Sequence, residues 1–241
     1  MLYWRDSASP WRDLRDGAAM SCPVGPRRPI EDQEVCSPSD INKRALAARI
    51  WRGSQRLDGP ALEYLRGRFC AIPPADSDLR YHRSLCLFGF SGPALVGRIS
   101  DAVTNRGIGL HLTWLAHDGE RWKRTERRYL GRKAGGVVRL WPDEAVTLGL
   151  SVAEGIETAL AAAHIRTPVW ACLDAGNLAA LPVLAGIEAL TIFADRDESG
   201  AGQRAALACA EKWTAARVEV TVIAASGVGQ DVNDEVTGCA V

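Results

Sequence analysis

Long apolar runs are missing from this chain. None approaches the roughly 20 residues that a transmembrane helix requires. The first residues, MLYWRDSASPWRDLRDG, mix both charge signs and lack the apolar core of a signal peptide. We therefore expect no membrane partner, and the cytoplasm is the simplest location. Because 47% of the residues are hydrophobic and 24% are charged, most of the chain is expected to fold.

Metal-binding cysteine pairs and a nucleoside-triphosphate loop are also missing. The seven cysteines are scattered and form no C-x-x-C pair, so no zinc site is predicted. The pattern G-x-x-x-x-G-K-[ST] does not occur, which excludes a helicase motor of that type within this sequence.

Net charge is zero, but the two halves of the chain differ in sign. Residues 1–144 hold 24 Lys and Arg against 17 Asp and Glu, whereas residues 145–241 hold 5 against 12. One interpretation is a basic surface that binds a polyanion beside an acidic site that binds cations. Chance, or attraction between the two halves, would explain the charges equally well.

Three segments are predicted from composition and periodicity. Residues 1–38 are rich in Pro, Arg and Ser and predict a poorly ordered leader. Residues 39–142 predict a smaller α+β region, with two helices followed by short antiparallel strands and a hairpin turn at Asp118-Gly119. Residues 143–241 alternate strand and helix. Their nearly apolar strands predict an α/β domain, a parallel sheet with helices on both faces.

Carboxylates follow the predicted parallel strands. Glu154 comes directly after the first strand, and Asp195 and Asp197 end the third. Asp231 follows the last strand. Because ligands of open α/β sheets lie at the carboxyl ends of the strands, these side chains predict a site for Mg²⁺ or Mn²⁺. The alternative is a structural role in helix capping or Asx-turns.

A basic segment precedes the parallel sheet. Guanidinium groups suit phosphate contacts, and Trp122 and Tyr129 can stack on bases, so we expect this segment to bind nucleic acid or nucleotides. The alternative is a solvated face of a hairpin. The candidate residues are Arg121, Lys123, Arg124, Arg127, Arg128, Arg132 and Lys133.

Four segments in order resemble one known domain. They are VAEGIETALAA, ACLDAGNLAALP, LTIFADRDESGAGQRAA and GQDVNDE, and they resemble the Toprim domain of phage- and plasmid-type DNA primases. The resemblance covers roughly residues 145–236. Residues 40–141 resemble, more loosely, the region that precedes Toprim in such proteins. The implied fold is a Rossmann-like parallel sheet.

The resemblance also implies a chemistry. Glu154 matches a glutamate with a general acid/base or metal role, Asp195 and Asp197 match a metal-binding D-x-D, and Asp231 matches a later acidic position. The implied activity is nucleotidyl transfer from NTPs on a single-stranded DNA template. Such a reaction would make primers during replication of a phage, plasmid or mobile element.

Two other functions stay open at this point. A Toprim-type nuclease would use the same metal site with water as the nucleophile, and a non-catalytic remnant would bind nucleic acid without reaction. A zinc ribbon and a helicase motif accompany many primases and are missing here. A separate replicative helicase or zinc-ribbon protein is therefore a candidate partner.

Overall fold

A computed structural model describes residues 38–195 and 199–224, with side chains from residue 42 onward. The helices are α1 (Pro38–Gly53), α2 (Gly59–Gly67), α3 (Ile156–Ala162), α4 (Ala175–Ala180) and α5 (Ala201–Ala215), with a 3-10 turn at Asp143–Ala145. The strands are β1 (Leu79–Leu87), β2 (Phe90–Asp101), β3 (Gly107–His117), β4 (Trp122–Gly131), β5 (Gly136–Arg139), β6 (Gly149–Ala153), β7 (Val169–Ala171), β8 (Ala189–Ala194) and β9 (Glu219–Ala224). Within these residues, no helix has the length and apolar character needed to cross a membrane.

Strands β1 to β4 form the predicted antiparallel part of the sheet. β2 pairs with both β1 and β3, and β4 pairs with β3. The β3–β4 connection lies at the predicted Asp118-Gly119 turn. There, Asp118 Oδ1 accepts hydrogen bonds from the backbone nitrogens of Glu120 and Arg121, at 3.0 and 2.9 Å. These bonds stabilise the turn together with the backbone bond from the Asp118 nitrogen to the Arg121 carbonyl at 3.2 Å.

Strands β6 to β9 form the predicted parallel part, in the order β7-β6-β8-β9. The short strand β5 joins the two parts, because it pairs antiparallel with the end of β2 and with β7. All nine strands of the described residues thus belong to one sheet. The strand–helix alternation did not predict this junction, and the domain division after residue 142 stays a prediction.

Helices cover both faces of the sheet. One core lies under α2 and α3, and two others lie on the opposite face under α1 and under α4 and α5. Alternation along β7 shows why, since Val169 and Ala171 enter the first core while Trp170 enters the opposite one. The predicted α/β fold, with helices on both faces of a parallel sheet, is confirmed.

Helix ends follow local signals in the sequence. Asp58 caps α2, accepting a hydrogen bond from the Gly59 nitrogen at 2.8 Å, and Pro60 occupies its first turn. α4 ends at Ala180, two residues before Pro182, whose ring cannot continue a helix hydrogen-bond ladder.

Candidate active site

The carboxyl ends of β6 and β8 bring two of the predicted carboxylates together. Glu154 directly follows β6 and Asp195 directly follows β8. The strands are parallel neighbours, and Ala153 is paired with Phe193. Glu154 and Asp195 therefore lie within one residue of the same position along the sheet. Adjacent strands lie ~4.8 Å apart, which places both side chains at one edge of the sheet. Both residues are half-buried.

Contacts from neighbouring elements hold these two residues. The Glu154 carbonyl accepts a hydrogen bond from the Leu173 nitrogen at 2.6 Å, which ties the end of β6 to the segment after β7. The Thr158 hydroxyl, on α3, donates to Asp195 Oδ2 at 3.4 Å. Helix α3, which begins after Glu154, therefore orients the carboxylate of Asp195 at the end of β8.

A third acid, Asp174, lies after β7 at the same edge, and it was not among the predicted site residues. It caps α4, accepting from the Asn177 nitrogen at 2.8 Å, and pairs with Lys133 Nζ at 2.5 Å. Burial alone raises the pKa of Asp174, but the hydrogen bond from Lys133 and the backbone bonds lower it overall. The rule that selected Glu154, an acid just beyond a buried strand, would have found Asp174. We call Glu154, Asp174 and Asp195 the carboxylate edge.

The composition of this edge fits a hard divalent cation. Carboxylate oxygens are the ligands that Mg²⁺ prefers in proteins, and Glu154 and Asp195 both supply them. Among residues 38–195 and 199–224, no three His, Cys, Asp or Glu side chains are grouped as a metal site. The predicted ligands Asp197 and Asp231 lie outside the described residues, so the four-residue set stays a prediction.

The basic segment falls mainly on β4, an edge strand of the antiparallel part among the described residues. Arg121 lies in the β3–β4 turn. Four cations lie on the strand and two follow it before β5, all of them exposed. Those on the strand are Lys123, Arg124, Arg127 and Arg128, and those after it are Arg132 and Lys133.

Side chains of β4 point to two different faces. Trp122 Nε1 donates to Glu63 of α2 at 2.9 Å, and the Tyr129 hydroxyl donates to the Leu173 carbonyl at 3.3 Å. These residues face α2, α3 and the carboxylate edge. On the opposite face, the Arg128 guanidinium lies 5.6 Å from the centre of the Phe90 ring. The structure thus divides the basic segment between two surfaces.

A nearly buried carboxylate joins β4 to the parallel part. Glu157, on α3, has a side chain that is 12% exposed. It accepts a hydrogen bond from the Tyr64 hydroxyl at 2.8 Å and lies 3.6 Å from Arg124 Nη1. Burial alone raises the pKa of Glu157, but its hydrogen bonds, including the one from the Tyr64 hydroxyl, and the charge of Arg124 lower it overall. Its position three residues after Glu154, in the first turn of α3, was the available sequence signal.

Lys133 lies two residues after the end of β4 and contacts the carboxylate edge. Besides its pair with Asp174, its ammonium lies 5.0 Å from the centre of the Tyr129 ring. The hydrogen bond to Asp174 is the main cause of its raised pKa, so this side chain is a cation at neutral pH. Of the predicted nucleic-acid-binding residues, it is one that directly contacts the edge.

Each part of the chain matches a known protein family. Residues 149–239 match the Toprim domain family, and residues 42–140 match a domain of unknown function (DUF7146). No curated protein matches the chain.

Two solved structures have similar folds. One is a DnaG primase catalytic domain bound to single-stranded DNA, 17% identical, with a TM-score of 0.45 over 81% of this chain and 75% of that chain. The other is the DnaG catalytic core, 18% identical, with a TM-score of 0.46 over 81% and 74%. The family match shows that this chain carries a Toprim domain in residues 149–239.

Proposed function

We propose that this protein is a metal-dependent nucleotidyltransferase of the primase type, which makes primers on single-stranded DNA. The observation that carries the proposal is the placement of Glu154 and Asp195 at adjacent strand ends, at an edge that Tyr129 and Lys133 reach from the end of the basic strand β4. Phosphoryl chemistry needs both features, because cations position the polyanion while carboxylates hold the catalytic metal.

The proposed roles divide between the two parts of the chain. Glu154 and Asp195, with Asp197 and Asp231, would hold Mg²⁺ or Mn²⁺, and Glu154 would also act as a general acid or base. When bound, the ion neutralises charge on phosphate oxygens. Thr158 keeps Asp195 oriented through its hydrogen bond.

The substrate surface would come from the preceding region. Arg124 and Tyr129 lie on the face of β4 that contacts α3 and the segment after β7. Lys133 contacts the carboxylate edge directly. Guanidinium groups contact phosphates, and an aromatic ring can stack on a base. We assign this surface to the DNA template and the NTPs. A separate replicative helicase or zinc-ribbon protein is the proposed partner in phage, plasmid or mobile-element replication.

The direct test is an activity assay with products resolved by length. Protein is incubated with labelled single-stranded DNA, NTPs, and Mg²⁺ or Mn²⁺. Short RNA products of primer length support the proposal. Shortened DNA would instead show a Toprim nuclease, which the same carboxylate edge would serve. Binding without any reaction would show a non-catalytic nucleic-acid-binding protein.

Variants at the edge tie the reaction to the site. Glu154→Gln and Asp195→Asn are expected to lower the rate by at least about 100-fold, because each removes a charged oxygen at the reacting centre. Glu188→Gln is the matched control. Glu188 is exposed and lies just before β8, at the opposite end of that strand from Asp195. Equal activity in all three variants would contradict the assignment.

A further inference from the structure

A cleft of about 240 Å³ opens between the end of α2 and the start of β4. We call it the α2–β4 cleft. Four cationic side chains line it, together with the aromatic side chains of Tyr64 and Trp122. The cations are Arg68, Arg121, Lys123 and Arg124.

Charge is the main property of this cleft. None of its lining side chains is acidic among the described residues. Lys123 forms an ion pair with Asp118 in the turn, and Arg124 pairs with Glu157 behind the cleft. Both acids therefore lie outside the lining. These pairs compensate part of the charge from outside the cleft, but the lining itself presents only cations to an anion placed among them.

We propose that the α2–β4 cleft binds a phosphate group of a nucleic-acid strand or nucleotide, at a site separate from the carboxylate edge. Arginine forks match phosphate oxygens in geometry. The indole of Trp122 is half-buried, and its bond to Glu63 fixes the ring beside the cations. This assignment adds Arg68 and α2 to the substrate surface. Its place in a reaction rests on the proposed function, but binding itself does not.

Glu157 connects this cleft to the carboxylate edge. It contacts both Tyr64 and Arg124, which line the cleft. The next residue on α3, Thr158, donates to Asp195. A phosphate held by Arg124 would therefore lie in a fixed relation to the edge.

Binding can be measured without catalysis. The full chain is titrated against a labelled oligodeoxythymidylate of about 15 nucleotides, in EDTA and over a series of salt concentrations. Arg68→Ala and Arg121→Ala are each expected to weaken binding roughly tenfold at low salt, because each removes a charge-assisted hydrogen bond. The slope of log affinity against log salt should become shallower by about 0.7 for each phosphate that the variant no longer neutralises.

Arg66→Ala is the matched control, since Arg66 is exposed on the same helix and does not line the cleft. It removes the same charge and should change binding little. If the alanine substitutions change binding only slightly, Arg121→Glu gives a stronger test because it reverses the charge. Arg121 is exposed, so this substitution leaves the core intact. Thermal unfolding of each variant confirms that the fold is kept. Unchanged binding in folded Arg68→Ala, Arg121→Ala and Arg121→Glu would overturn the proposal.

Competition identifies the source of the phosphate. ATP without metal is added to the oligonucleotide complex of the native and Arg121→Ala proteins. If ATP displaces DNA from the native protein and Arg121→Ala weakens that competition, the cleft takes nucleotide phosphates. If ATP does not compete while the variants still weaken DNA binding, the cleft takes the strand backbone. A native protein that binds in this way but makes no primer would sink the proposed function and leave the cleft assignment standing.

Discussion

His111 is a buried imidazole on β3, with 3% of the residue exposed. Its ring packs edge-on against Tyr129, with ring centres 5.3 Å apart. Charged groups of Glu157, Arg124 and Arg127 also act on it. Burial is the main cause of its pKa falling to about 4, so the folded protein holds this side chain neutral at neutral pH.

Acid should therefore destabilise the protein through His111. The unfolded chain binds a proton near pH 6.5 and the folded chain near pH 4, so stability falls as the pH drops between these values. By pH 4.5 the loss is about 2–3 kcal/mol. Urea denaturation of native protein and His111→Gln from pH 7 to 4.5 measures it. The native curve should fall more steeply, and parallel curves would contradict the prediction.

At the scale of elements, the β4–β5 connection is fastened to the start of α4. Asn177 Nδ2 donates to the Lys133 carbonyl at 2.8 Å, and the Gly135 nitrogen donates to Asn177 Oδ1 at 3.2 Å. The Lys133–Asp174 ion pair lies beside them. The start of α4 thereby fixes the loop between the basic strand β4 and β5, the strand that joins the two parts of the sheet.

Substitutions at Asp174 separate its two roles. Asp174→Asn keeps the oxygen that accepts the Asn177 nitrogen and loses the ion pair with Lys133, so it should cost under about 1 kcal/mol. Asp174→Ala also loses the helix cap and should cost about 1 kcal/mol more. Free energies of unfolding in urea measure both. Equal costs for the two substitutions would show that capping contributes nothing here.

The sequence predicted elements better than it predicted contacts. Alternating and apolar runs located the antiparallel and parallel strands, and the strand-end rule placed Glu154 and Asp195 at one edge. Asp174 and Lys133 lie 41 residues apart, and only the insertion of β5 between β2 and β7 brings them together. Local periodicity carries no information on strand order, so such pairs could not be derived from it. Asp197 and Asp231 stay predictions.

At the scale of the molecule, one buried guanidinium sits at the junction of the two parts. Arg139, 3% exposed, donates to Ser100 Oγ and to Asp143 Oδ1, both at 2.6 Å. It also donates to the Ala102 carbonyl at 3.1 Å, and its central guanidinium carbon, Cζ, lies 4.4 Å from the centre of a Trp170 ring. Strands β2, β5 and β7 all contribute to this network.

Truncation of Arg139 should destabilise both parts together. Arg139→Ala leaves buried acceptors without their donor, and we expect a loss of about 2–4 kcal/mol in the free energy of unfolding. Hydrogen exchange monitors β3 and β8 separately. The most protected amides of both strands should lose the same free energy, because a single sheet contains them. Loss confined to one strand would show that the parts unfold independently.

The continuous sheet also bears on how a substrate is recognised. Rotation of one part against the other would break ladder hydrogen bonds on both sides of β5. The relative orientation of the basic strand and the carboxylate edge is therefore set before any ligand arrives. When a surface is pre-organised in this way, little binding free energy is lost to rearrangement of the protein. If the proposed function holds, selectivity would then depend on how well a strand fits this fixed arrangement of cations and carboxylates.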